Sequence, residues 1–205
     1  MIGCSRAAFG GNGATFVGQH SWLLRCCRQR LIMDEKPFGR HCINYYYHMK
    51  ARIYLETTII SYYANKISPN LVVAGRQQIT RDWWDEKSGL FDLFISQLVI
   101  NEAGAGDPNS AHQRLKAIAA IPILKIDSAC EEIAASLVTD GQIPAEFPED
   151  ALHIAIASVH AVDFLLTWNF SHINNAFIKH KIYRGIEKYG YACPQICSPE
   201  ELMEV

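Results

Sequence analysis

The sequence lacks a long apolar run. Nowhere among its 205 residues are there the ~18 consecutive apolar side chains that a helix needs to cross a bilayer, so no membrane-spanning segment is expected. It also lacks an excess of either charge: 19 Lys and Arg stand against 21 Asp and Glu, a formal net charge of −2. That excludes the polycationic character of many nucleic-acid binders and leaves any such contact to a local patch or a metal ion. A disulfide framework is not indicated either, because the seven cysteines are odd in number and irregularly spaced, as expected of reduced thiols in a cytoplasmic protein. Cys193 and Cys197 have no second ligand pair, which argues against zinc. The glycine-rich run at residues 9–13 lacks the Gly-Lys-Ser/Thr ending of a phosphate loop and reads as flexible chain. No internal repeat or low-complexity linker divides the chain.

What is present is a globular balance, 49% hydrophobic and 20% charged, in a chain long enough for one domain with residues to spare. The charge is uneven along it. Residues 1–48 hold six Lys and Arg against two Asp and Glu, net +4, while residues 49–205 hold thirteen against nineteen, net −6. The basic residues around 25–30 follow their short apolar run, the wrong order for a secretory signal. Because Met49 and Lys50 directly precede the first convincing strand, translation is expected to start at Met49, with residues 1–48 a disordered extension or a start-site artefact. Intact mass checks this, since a native species near 23.1 kDa contradicts it.

From Met49 onward strand-like and helix-like segments alternate. Residues 52–55 form a short apolar run of strand type, and 59–64 begin a helix. Residues 69–87 read as a helix with Pro69 in its first turn and Leu71, Ala74, Ile79 and Trp83 on one face. A second strand over 91–99 runs into a helix start at Ile100, and Asp107-Pro108 opens a helix through Ile118. Residues 122–126 are a third strand. Ser128 and Glu131 form a capping box for a helix that Gly141 stops. Residues 148–160 are an apolar helix, 164–167 a fourth strand, 174–189 mostly helix and 195–197 a late strand before a second capping box at Ser198 and Glu201. Strands separated by helices predict an α/β fold, a parallel central sheet with helices on both faces, in one domain over 49–205.

The chemistry-bearing residues are acids at the ends of these segments. In open α/β sheets ligands bind in the crevice outside the carboxyl ends of the strands. Glu56 follows the first strand, Glu102 lies just after the second, Asp150 is in the first turn of a helix, and Asn169 comes two residues after Thr167 at the end of the fourth strand. Three carboxylates and an amide converging there suit a hard divalent cation, Mg²⁺ or Mn²⁺, which prefers oxygen ligands and offsets the repulsion among the acids. The positive end of the helix dipole favours the charged form of Asp150.

Four segments together, Arg52-Ile53-Tyr54-Leu55-Glu56-Thr57-Thr58, Glu102-Ala103, Glu149-Asp150-Ala151-Leu152-His153-Ile154-Ala155 and Leu165-Leu166-Thr167-Trp168-Asn169-Phe170, resemble the PIN-domain proteins. That family includes the VapC-type toxins of bacterial toxin-antitoxin pairs. The resemblance spans about 49–203. It implies a PIN-like three-layer sandwich and a metal-dependent ribonuclease hydrolysing RNA phosphodiester bonds, the toxin of a type II pair with a small antitoxin partner, acting as a homodimer. Position by position it implies Glu56, Glu102 and Asp150 as catalytic residues and metal ligands, Asn169 as a fourth ligand, and Thr57 and Thr167 holding ligands or water through their hydroxyls. Two departures stand out. Glu56 is more often Asp, so its carboxylate reaches one methylene further, and Asn169 is usually Asp, so its carbonyl oxygen carries no charge. Three charges support one tightly held ion better than two.

Other readings weigh against this one. The acids can be solvated surface groups, Asp150 a helix-start acid and Asn169 the cap of a turn. His153 and His160 lie seven residues apart, about 10.5 Å of rise, too far for a shared ion, and read as packing or hydrogen-bonding groups. Trp83-Trp84 reads as core and interface. The net acidity opposes phosphate binding; the candidate cations are Lys66, Arg76, Arg81, Lys179, Lys181 and Arg184, and the densest run, 179–184, is equally a solvated helix face. A PIN-like fold without catalysis, acting as a binding or regulatory module, is the alternative that Asn169 favours. A doubly wound protein for a small ligand, with incidental acids, is the third.

Overall fold

The computed structural model describes residues 50–204. The extension expected over 1–48 and the start at Met49 lie outside the described residues. The strands are β1 (Arg52–Leu55), β2 (Asp92–Ser96), β3 (Ile123–Leu124), β4 (Phe164–Leu166) and β5 (Gln195–Cys197). The helices are α1 (Thr57–Ala64), α2 (Leu71–Glu86), α3 (Gln97–Ala103), α4 (Pro108–Ile118), α5 (Ser128–Thr139), α6 (Pro148–Val159) and α7 (Lys179–Glu187).

All neighbouring strands are parallel, in the order β3-β2-β1-β4-β5. β1 is therefore covered on every side, and its Ile53, Tyr54 and Leu55 are fully buried. Each such side chain contributes roughly 1.5–3 kcal/mol relative to exposure. The right-handed crossover rule puts the connections after β1 and β2, α1 to α4, on one face of the sheet, and those after β3 and β4, α5 to α7, on the other. The packing agrees: α1 lies against α2 and α4, and α5 lies against α6 and α7. This is the α/β three-layer arrangement expected from the alternation of segments.

Several boundaries differ from the sequence reading, each for a local reason. α2 starts at Leu71, because the Asn70 side chain caps it by accepting from Val72 and Val73 N–H, leaving Pro69 outside. Its buried face is Gln77, Thr80 and Trp83, while Leu71 is exposed. The second strand ends at Ser96, whose hydroxyl caps α3 three residues before the expected helix start. α5 is capped by Asp127, which accepts from Cys130 N–H, in place of the Ser128 box. The Ser198–Glu201 box is formed and opens a 3-10 turn at Pro199–Leu202. The helix expected from Asn174 starts at Lys179.

Strand order fixes where chemistry can gather. Helices leave β1 for one face and β4 for the other, so the switch point of the sheet lies between the carboxyl ends of these two strands. Leu55 and Leu166 are in register there, and Glu56 N–H donates to Leu166 C=O at 3.1 Å.

Candidate metal centre

Glu56 is the first residue beyond β1 and the N-cap of α1. Its Oε1 accepts from Thr58 N–H at 3.1 Å, and its Oε2 accepts from the hydroxyls of Thr58 and of Thr167, the latter at 2.7 Å. The last bond spans the switch point from β1 to β4. Only 5% of Glu56 is exposed, and this burial raises its pKa despite the field of His153 and the hydroxyl donors, which oppose the shift.

Glu102 reaches the same place from the last turn of α3, where the negative end of the helix dipole disfavours its charge. The surroundings compensate. Its Oε2 accepts from the Thr57 hydroxyl and lies 3.0 Å from His153 Nε2. Burial works against ionisation, but these bonds and the field of His153 outweigh it and hold the carboxyl below its usual range.

His153 is buried on α6, one turn after Asp150. Its Nδ1 is 2.8 Å from the Tyr54 hydroxyl, which is 2.7 Å from the Ser96 hydroxyl. A chain of hydrogen bonds thus runs from Ser96 at the end of β2 through Tyr54 and the imidazole to Glu102, fixing the ring while leaving Nε2 toward the acids. Burial opposes the imidazolium, yet the Glu102 bond and the fields of Glu56, Glu102 and Asp150 raise its pKa. The ligand atoms of Glu56, Glu102 and His153 all lie within 4.8 Å of one another. Two carboxylate oxygens and one imidazole nitrogen gathered in this way are groups that could hold a divalent cation.

Asp150 stands beside this group, near enough for its charge to act on His153. Its Oδ2 is engaged by His172 Nδ1 at 2.8 Å, and the His172 ring packs on Phe147 with centroids 4.1 Å apart. Asn169 Oδ1 accepts from His172 N–H at 3.0 Å, the turn-capping role weighed above, and Asn169 N–H donates to the Thr167 hydroxyl at 2.9 Å. Glu56, Glu102, Thr57 and Thr167 are thus brought together, with Asp150 and Asn169 joined to each other through His172.

His153, His172 and Tyr54 are the site residues that sequence reasoning missed. His153 had a usable signal, its three-residue spacing from Asp150, which puts both on one helix face. His160, by contrast, only hydrogen-bonds the Lys125 carbonyl, at 2.7 Å. Among the described residues Cys130, Cys193 and Cys197 are free thiols, with Cys130 pushed up to about 11 and Cys197 to about 12 by burial, so they are unreactive. No helix among the described residues is long and apolar enough to cross a membrane. Comparison with models of known protein families and with curated proteins finds no match to this chain.

Proposed function

We propose that the chain is a Mg²⁺- or Mn²⁺-dependent endoribonuclease, a PIN-like hydrolase that acts in the cytoplasm as the toxin of a toxin-antitoxin pair. The observation that carries this reading is the convergence of Glu56, Glu102 and His153 at the carboxyl ends of the central strands, with Asp150 beside them. Glu56, Glu102 and Asp150 would hold the ion, with His153 Nε2 as a nitrogen donor. A divalent ion there supplies an acidified water and stabilises charge on the phosphoryl oxygens.

The chain's own groups prepare that site. The Thr58 and Thr167 hydroxyls fix both the position and the rotamer of Glu56, Thr57 does the same for Glu102, and His172 orients Asp150. Tyr54 sets the His153 ring. The 3.0 Å contact between His153 Nε2 and Glu102 Oε2 ties the imidazole to the acids.

The test is cleavage of an end-labelled single-stranded RNA by the full chain with Mg²⁺, with Mn²⁺ and with chelator, beside Asp150→Asn. Metal-dependent cutting that the variant lacks is the expected result. The alternative, a PIN-like binding or regulatory module without catalysis, is favoured by the engagement of the Asn169 amide in its turn. No cutting by folded, antitoxin-free protein under any of these conditions would overturn the nuclease and favour that alternative. The nuclease reading also entails a small antitoxin partner and a homodimer, which mass measurement of the protein co-expressed with its neighbouring gene product tests.

A further inference from the structure

Of the six candidate cations weighed above for phosphate contact, Arg76 is held in an unusual way. Arg81 donates to the Tyr63 and Asn65 carbonyls, and Lys179 to that of Ile196. Lys66, Lys181 and Arg184 are simply exposed. The half-buried Arg76 guanidinium instead lies over two rings, 5.5 Å from the Trp168 centroid and 4.9 Å from that of Phe170. Among the described residues no carboxylate or carbonyl accepts from its side chain. The two rings are inclined at 68° to one another, so the guanidinium can lie flat on at most one of them, and contact with a ring face leaves N–H donors free for the fork that matches a phosphate.

The rings are rigidly joined to the metal centre. Trp168 N–H donates at 2.9 Å to the same Thr58 hydroxyl that donates to Glu56, and Trp168 Nε1–H donates at 2.7 Å to Thr80 on α2. Tyr62 stacks on the Trp168 ring with centroids 6.2 Å apart, at 28°. Phe170 is set edge-on to Trp168 and remains 41% exposed. An exposed aromatic ring and a guanidinium without a hydrogen-bond acceptor are thus linked to the acidic centre through Trp168 and Thr58.

We infer that Arg76 and Phe170 form the binding ledge for single-stranded RNA, with Arg76 gripping a backbone phosphate next to the cleaved bond and Phe170 stacking on a base. This deepens the nuclease reading and rests on it. The ledge resolves the charge objection to that reading: a single fixed cation beside the acids supplies attraction that the net charge of the chain does not. It needs no metal of its own.

The test is fluorescence anisotropy of a short labelled oligouridylate with the full chain in chelator, where no cleavage intervenes. Arg76→Gln is expected to weaken binding about tenfold and to reduce the salt slope by about 0.7, the contribution of one single-strand phosphate contact. Phe170→Ala weakens binding about tenfold with the slope unchanged, as loss of one base stack does. Arg76→Lys recovers the slope without the full affinity. Lys181→Gln, which removes an exposed cation on α7, is the reference, and thermal melting shows that each variant is folded. Equal losses in Arg76→Gln and Lys181→Gln, or no binding by the unaltered chain, overturn the inference. Unchanged binding in the ledge variants with metal-dependent cleavage intact overturns the ledge and leaves the nuclease. Arg76-dependent binding without cleavage in any metal supports the ledge and overturns the nuclease.

Discussion

Glu56 and Glu102 differ in what surrounds them, and the same substitution should act on them with opposite sign. Burial raises the Glu56 pKa, so its charged form costs stability in the folded chain: its own contribution is most favourable below the ordinary carboxylate range and is lost as pH rises through the raised value. Glu56→Gln removes that cost while keeping an acceptor for Thr58 N–H. In chelator at neutral pH it is expected to melt about 2–4 °C higher, the shift that ~1 kcal/mol gives in a chain of this size, and the gain vanishes in acid. Glu102 is held below its usual range, so its charge contributes stability that is present at neutral pH and lost as pH falls through the depressed value. Glu102→Gln is expected to melt lower than wild type at neutral pH and to converge with it in acid. Melting curves across pH check both. The acids could be found in the sequence because each stands just beyond a strand or at a helix start. Their partners could not, because Tyr54 reads as one more apolar strand residue until the sheet puts its hydroxyl 2.8 Å from His153.

The helix that carries Glu102 is short, and its end is tied down from a neighbouring element. Arg114, 8% exposed on α4, donates to the carbonyl of Ala103, the last residue of α3, at 2.8 Å, to that of Ala105 just beyond at 2.5 Å, and to the Asn65 side chain at 3.3 Å. Unpaired carbonyls are left at every helix C-terminus, and leaving a buried one unsatisfied costs ~1–3 kcal/mol. Arg114→Met is therefore expected to destabilise the fold by about 2–3 kcal/mol in urea, and to weaken Mn²⁺ binding in calorimetry because Glu102 loses its fixed position. A stable variant with unchanged metal affinity would show that α3 holds its end without the arginine. Periodicity revealed that these elements exist but not where they stop. The run 91–99 is mostly apolar on both sides of Ser96, and the hydroxyl of Ser96 caps the helix that begins at Gln97. On α2 the apolar stripe pointed to Leu71, whereas polar Gln77 and Thr80 are buried because the loop at Lys66–Ser68 and the indole of Trp168 bond to them.

The sheet order puts an acidic cluster at the switch point of a chain segment already at net −6 over residues 49–205, and a cation bound there would relieve that charge in the folded state alone. The unfolded chain scatters Glu56, Glu102, His153 and Asp150 over nearly a hundred residues and offers an ion no such site. Binding must then appear as stability, RT ln(1 + [L]/Kd), about 2.7 kcal/mol at a hundredfold excess over Kd. Mn²⁺ added to chelator-treated protein is expected to raise the melting temperature by several degrees in proportion to the logarithm of its concentration, and Asp150→Asn and Glu102→Gln are expected to reduce the shift. Asn169→Asp adds a fourth charge next to Asp150 through His172, so it should melt lower than wild type in chelator and gain more from Mn²⁺. A melting temperature indifferent to metal in all four proteins would mean that the proton on His153 alone balances the acids. The fold would then be complete without an ion.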